Sequence, residues 1–93
     1  MVRRVVLLKL KPETSVDEAT RESKRALTPL PGVLSVKTGA VPDDDDYNFA
    51  ITLDFDDLDT VAAYVPHPDH RKFVDEYLLP RSEARKAFNV VCQ

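Results

Sequence analysis

The two histidines of this chain sit three residues apart, in Tyr64-Val-Pro-His-Pro-Asp-His70. Imidazole is the side chain whose unperturbed pKa, ~6.5, lets it take or give a proton near neutral pH. Pro68 fixes its own φ and drives His67 out of helical geometry, so the sequence predicts a helix start here. Asp69, His70, Phe73, Val74 and Tyr77 then recur at helical spacing. His70 is therefore expected in the first turn of a helix, beside an apolar stripe, where a small pocket could use its ring. The other reading makes His70 a hydrogen-bonded structural residue and His67 an N-cap or a solvent-facing loop residue. Tyr64 is equally open: a site hydroxyl, or a core or rim aromatic. Six residues and two prolines separate Tyr64 from His70, so helical spacing cannot place the two rings together. If His70 lies against the stripe, desolvation and the positive end of the helix should both depress its pKa.

The elements that must position these residues follow from periodicity. Residues 2–10 are β-branched and apolar and read as a strand. Ser15 and Glu18 form a capping box before a helix over about 16–27, which Pro29-Leu-Pro-Gly32 ends. Residues 33–40 read as a second strand. Residues 47–55 read as a third, with Tyr47, Phe49, Ile51, Leu53 and Phe55 alternating against Asn48, Ala50, Thr52 and Asp54. Asp57 is the expected N-cap of a short helix reaching Tyr64. A second helical piece is expected over about 69–85, irregular at Pro80, and residues 87–92 form a last strand.

This order, β-α-β-β-α-β, is the ferredoxin-like arrangement: an α+β sandwich with a four-stranded antiparallel sheet and helices on one face. Strand one is apolar on both faces, with Val5 and Leu7 on one and Val6, Leu8 and Leu10 on the other. Helices cover a single face, so the other needs a second cover, and a two-fold homodimer through paired sheets is expected. Arg4 shares the Val6/Leu8/Leu10 face and is expected near that interface.

Composition bounds the function. Ninety-three residues, 43% apolar and 31% charged, make one globular domain spanning residues 1–93. The net charge of −3, with basic residues scattered among acids, excludes nucleic acid as the main partner. No apolar run is long enough to span a bilayer, and no h-region follows Met1, so no membrane role and a cytoplasmic location are expected. Two glycines leave no phosphate cradle, and the Asp43–Asp46 run lacks calcium-loop spacing and reads as a solvated turn. No cofactor or metal is expected. Cys92, the single cysteine, reads as an inert thiol.

Three stretches carry a family resemblance: Val5-Val-Leu-Leu-Lys-Leu-Lys-Pro-Glu13, Pro31-Gly-Val-Leu-Ser-Val-Lys-Thr-Gly39, and Phe55 through His70 followed by Phe73-Val-Asp-Glu-Tyr-Leu-Leu-Pro80. Together they resemble the stress-responsive A/B barrel domain (Dabb) family, and the His-Pro-x-His step before Phe-Val is the most specific part. The resemblance implies ferredoxin-like monomers whose sheets pair into a dimeric α+β barrel. Most members have no assigned reaction. One branch, the plant polyketide cyclases that make olivetolic acid, uses a tyrosine and a histidine. The resemblance would make His70 the general base and Tyr64 its hydrogen-bonding or oxyanion partner. The family often carries a histidine in strand one where this chain has Arg4, and arginine cannot act as a base near neutral pH.

Two function classes follow. One is a homodimer that binds a small apolar or carbonyl ligand without catalysis. The other is a cyclase-like or lyase enzyme using His70 and Tyr64. In both, a pocket between the sheet and the second helical region is expected, lined by Leu7, Phe49, Ile51, Tyr64, His70, Phe73, Val74 and Tyr77, with Arg4 as a further ligand contact.

Overall fold

The computed structural model describes all 93 residues. β1 spans Val2–Leu10, α1 Val16–Leu27, β2 Ser35–Ala40, β3 Phe49–Phe55, α2 Leu58–Tyr64 and α3 Pro68–Phe73. One π-helical turn, Val74–Leu78, and one 3-10 turn, Leu79–Arg81, lead into β4, Ser82–Val91. The strands lie in the order β2-β3-β1-β4, with every neighbouring pair antiparallel. This is the ferredoxin-like sheet.

Local chemistry explains the helix starts. Ser15 Oγ accepts a hydrogen bond from the Glu18 amide at 3.1 Å. Asp57 Oδ1 accepts from the Thr60 hydroxyl at 2.7 Å and from the Thr60 amide at 2.8 Å, and the hydroxyl bond first, then the amide bond, holds the Asp57 carboxyl below its usual range. Each cap satisfies an amide that the first helical turn leaves unpaired. Gly32, at φ +86°, makes the turn between α1 and β2 in the left-handed region that L side chains rarely adopt. In the aspartate run, Asp44 Oδ1 accepts from the amides of Asp46 and Tyr47, which makes this segment a turn closed on itself.

The faces of β1 are now assigned. Register pairs Val2 with Phe55, Arg4 with Leu53, Val6 with Ile51 and Leu8 with Phe49. These pairs point to the helices. All but Arg4 are buried, and they form one core with Ala19, Leu27, Val61, Tyr64, Phe73, Val74 and Leu78. Arg4 therefore faces the helices and not the uncovered side of the sheet, which corrects the expectation that it lies near a sheet-face interface.

The opposite face carries Arg3, Val5 and Leu7, with Phe88 and Val90 beside them on β4. Phe88 and Val90 are 39% and 44% exposed. Arg3 donates to both oxygens of Asp54 at 2.8 and 3.2 Å, and Ser35 Oγ donates to Asp54 at 2.8 Å.

The second helical piece is shorter than expected. Its α-helix ends at Phe73, and residues 82–85, expected as helix, open β4. Glu83, Ala84, Arg85 and Lys86 are good helix formers. Here Pro80 supplies no amide to continue the helix, and pairing of Leu10 with Ser82 and Lys9 with Ala84 draws the segment onto β1. Sheet pairing outweighs intrinsic propensity. β2 and β3 begin two residues later than expected, at Ser35 and Phe49. No helix is long and apolar enough to cross a membrane.

Candidate functional site

Tyr64 closes α2. Val61 and Tyr64, three residues apart, share its buried face, and the Tyr64 ring packs on Phe55 with centroids 4.9 Å apart. The chain then turns through Val65 and Pro66, with the His67 amide donating to the Tyr64 carbonyl at 3.1 Å. His67 is the N-cap of α3: its Nδ1 accepts from the Asp69 amide at 3.1 Å. That is the capping role among its two open readings. The turn carries His70 back onto Tyr64. Their ring centroids are 4.3 Å apart and the planes are tilted by 42°. Tyr64 and His70 are 3% and 4% exposed.

The ring of His70 is oriented by the backbone. Its Nδ1 lies 2.8 Å from the carbonyl oxygen of Val65. A carbonyl only accepts, so Nδ1 carries the proton. In the neutral ring the lone pair is then on Nε2. Burial lowers the pKa of His70. The Val65 bond opposes this, and Arg4, Arg85 and Arg71 add to the lowering. The ring is neutral at pH 7. Burial also raises the Tyr64 phenol, against a weaker opposing pull from Arg4 and Arg85, so Tyr64 keeps its proton. Neither Tyr64 Oη nor His70 Nε2 is hydrogen-bonded within the chain. The fully enclosed side-chain polar atoms without a partner are Arg4 Nε and Ser23 Oγ alone, so both ring atoms reach solvent.

Arg4 enters the same neighbourhood from β1. Its Nη1 donates to Asn89 Oδ1 at 3.1 Å, its cross-strand neighbour on β4. Asn89 and Arg85 lie on the helix-facing side of β4, and both are exposed because α1 and α2 pack on β2 and β3 and leave β4 open. Sequence reading missed Arg85 and Asn89. Arg85 fell within the expected helix, and the period-two alternation of Arg85, Ala87 and Asn89 acquires meaning only once the segment is a strand.

The nine residues expected around one pocket separate into four places. Arg4, Tyr64 and His70 come together. Phe49, Ile51 and Val74 are buried in the core. Tyr77 stacks on Phe73 with centroids 5.3 Å apart and donates to Glu18 at 2.7 Å. Burial and Glu18 push its phenol up to about 12. Phe73 and Tyr77 line a different concavity of about 500 Å³ between α1 and α3, with Arg25, Leu30 and Arg81. Leu7 lies on the opposite face of the sheet, because side chains alternate and its neighbours Val6 and Leu8 point inward. The apolar pocket expected between sheet and helices is thus occupied by core side chains, and none of the four surface concavities is lined by Tyr64 or His70. What remains beside Tyr64, His70 and Arg4 is the exposed helix-facing side of β4 with Arg85 and Asn89. No group of three or more His, Cys, Asp or Glu side chains is placed to hold a metal ion.

Comparison with known proteins gives one family. The model of the stress-responsive A/B barrel domain matches residues 2–92. No curated protein matches the sequence. Among solved structures, the chain is similar to a Dabb family protein with a ferredoxin-like fold from Mesorhizobium loti. The identity is 27% over 99% of this chain and 96% of that one, with a TM-score of 0.81. A dimeric ferredoxin-like protein of unknown function from Bacteroides fragilis is 26% identical over 98% of this chain and 95% of that one, with a TM-score of 0.71. The hydroxynitrile lyase of Passiflora edulis shares the fold at 19% identity, over 99% of this chain and 93% of that one, with a TM-score of 0.81.

Proposed function

The chain belongs to the stress-responsive A/B barrel domain family, and from that premise we propose that it is a homodimer binding a small apolar or carbonyl ligand at the mouth formed by Tyr64, His70 and Arg4. One observation carries the reading. Two buried rings lie 4.3 Å apart, and their polar atoms, Tyr64 Oη and His70 Nε2, have no partner within the chain. A neutral phenol that donates and a neutral imidazole nitrogen that accepts are suited to a carbonyl group and its neighbouring C–H or hydroxyl. The dimer reading rests on the uncovered Val5, Leu7, Phe88 and Val90 face and on neighbours described as dimeric.

The Val65–His70 hydrogen bond favours a second reading, an enzyme of the cyclase or lyase kind. With Nδ1–H held by the carbonyl, Nε2 is positioned as a general base, and Tyr64 keeps a proton to donate to a developing oxyanion. Arg4 and Arg85 would stabilise that negative charge, while lowering the basicity of His70. The hydroxynitrile lyase of Passiflora edulis has the same fold.

Thermal-shift screening of small aldehydes, ketones and hydroxyketones tests the reading. Stabilisation that disappears in both Tyr64→Phe and His70→Gln supports it. Stabilisation that survives both substitutions places the ligand elsewhere. Turnover of a stabilising compound, lost in His70→Gln, moves the assignment to the enzyme.

A further inference from the structure

Arg4 and Arg85 are two cations on one face of the sheet with no acid between them. The contrast with Arg3 is direct. Arg3 grips Asp54 through two hydrogen bonds on the other face. The remaining ion pairs, Arg25–Glu22, Arg71–Asp75 and Arg81–Glu18, lie elsewhere, and no ion pair uses Arg4 or Arg85.

Arg4 is half-buried, and its one protein partner is the neutral Asn89 amide. Its Nε is enclosed and unpaired. A guanidinium presents donors in a planar fork that matches two oxygens of one acid group. Here Nε is shut off from solvent, and Nη2, unpaired and not enclosed, is the donor left to a ligand. The Asn89 amide accepts through Oδ1, so its Nδ2 remains as a further donor. Arg85 stands on the same face of β4, four residues away. Burial of Arg4 and the proximity of Arg85 both disfavour its charge, yet an arginine keeps its proton at any physiological pH. A desolvated cation without a counter-charge is costly, and a bound anion removes that cost.

We propose that Arg4, Arg85 and the Asn89 amide receive the carboxylate of a small organic acid, whose remaining part lies against Tyr64 and His70. This deepens the ligand reading above and rests on it. Arg4 is then the residue that selects the ligand by charge, while the ring pair meets its carbonyl or apolar part.

The test uses matched pairs of small aromatic and aliphatic carboxylates and their neutral primary amides, benzoate with benzamide among them. Binding is followed by NMR at the Arg4 Nε–H and His70 C–H resonances of the full-length protein. Expected is saturable binding of the acids, about tenfold or more tighter than that of their amides and weakening with added salt. A bound carboxylate should also raise the pKa of His70 by offsetting the two arginines. Arg4→Met and Arg85→Gln should each weaken acid binding about tenfold or more. Arg85 is exposed, so Arg85→Gln serves even if Arg4→Met fails to fold. Amides binding as tightly as their acids overturn the carboxylate assignment and leave the ligand reading standing. Acid binding unchanged in Arg85→Gln and Arg4→Met overturns it as well. No shift with either series overturns both.

Discussion

Tyr64 and His70 face each other at 4.3 Å across a turn in which Pro66 and Pro68 interrupt the helix. A continuous helix would set residues six apart about 120° from each other around its axis, on different faces. The break redirects the chain so that the His70 ring meets Tyr64, and the Val65 carbonyl inside the turn anchors that ring at 2.8 Å. The same segment thus creates the proximity and selects the tautomer. The arrangement differs from a structural histidine with both nitrogens satisfied, because Nε2 has no partner in the chain.

The first prediction concerns pH. Burial holds His70 below its ordinary 6.5 in the folded state. The unfolded chain then binds the proton more readily. The stability linked to His70 is complete above the unfolded value and is lost as pH falls from there through the folded one. Urea unfolding of wild type and His70→Gln between pH 8 and pH 5 should show the wild-type advantage shrinking toward acid. An advantage that does not change across that range, or a His70 C–H resonance titrating above 6.5, contradicts the assignment.

Tyr64→Phe and His70→Ala should separate in stability. The phenol hydroxyl has no partner in the chain, so its removal should change stability by no more than about 0.5 kcal/mol. His70→Ala removes the Val65 hydrogen bond and the ring contact and should cost about 1–3 kcal/mol. Equal losses in denaturant midpoint would mean that the hydroxyl is structural. In the enzyme reading His70→Ala also lowers turnover by about 10²–10⁴-fold.

The uncovered sheet face predicts a dimer. Light scattering at micromolar concentration should give about twice the 10.5 kDa chain mass. Phe88→Glu introduces a charge at an exposed position of that face and should yield a folded monomer with unchanged far-UV circular dichroism. A Phe88→Glu protein still of dimer mass would place the interface elsewhere.

Gly32 should resist substitution. At φ +86° any L side chain is strained, and a Cβ there would collide with Thr60 Cγ2 at the start of α2. Gly32→Ala should cost about 1–2 kcal/mol or more, whereas Gly39→Ala, with open space around it, should not show such a collision penalty. Matched melting temperatures for the two variants would refute this.

Local codes in the sequence determined most of the elements. Ser15 and Asp57 cap helices because their side chains satisfy nearby amides, three residues on, and that pattern is readable in any context. Pro68 likewise marks the start of α3, and the alternation from Phe49 to Phe55 marks a strand with one buried face. The ferredoxin-like arrangement and the two-faced character of β1 followed from these elements together. Tertiary structure alone decided the rest, because it depends on contacts between residues far apart in the chain. Which face of β1 meets the helices was undetermined by a strand apolar on both sides, and it moved Arg4 to the Tyr64–His70 mouth and Leu7 away from it. The early start of β4 came from pairing with β1, which overrode the helix-forming side chains of residues 83–86 and brought Asn89 to Arg4 across 85 positions of chain. The meeting of Tyr64 and His70 required the turn at Pro66, whose direction is set by packing on Phe55 and the core and by no periodicity in the sequence.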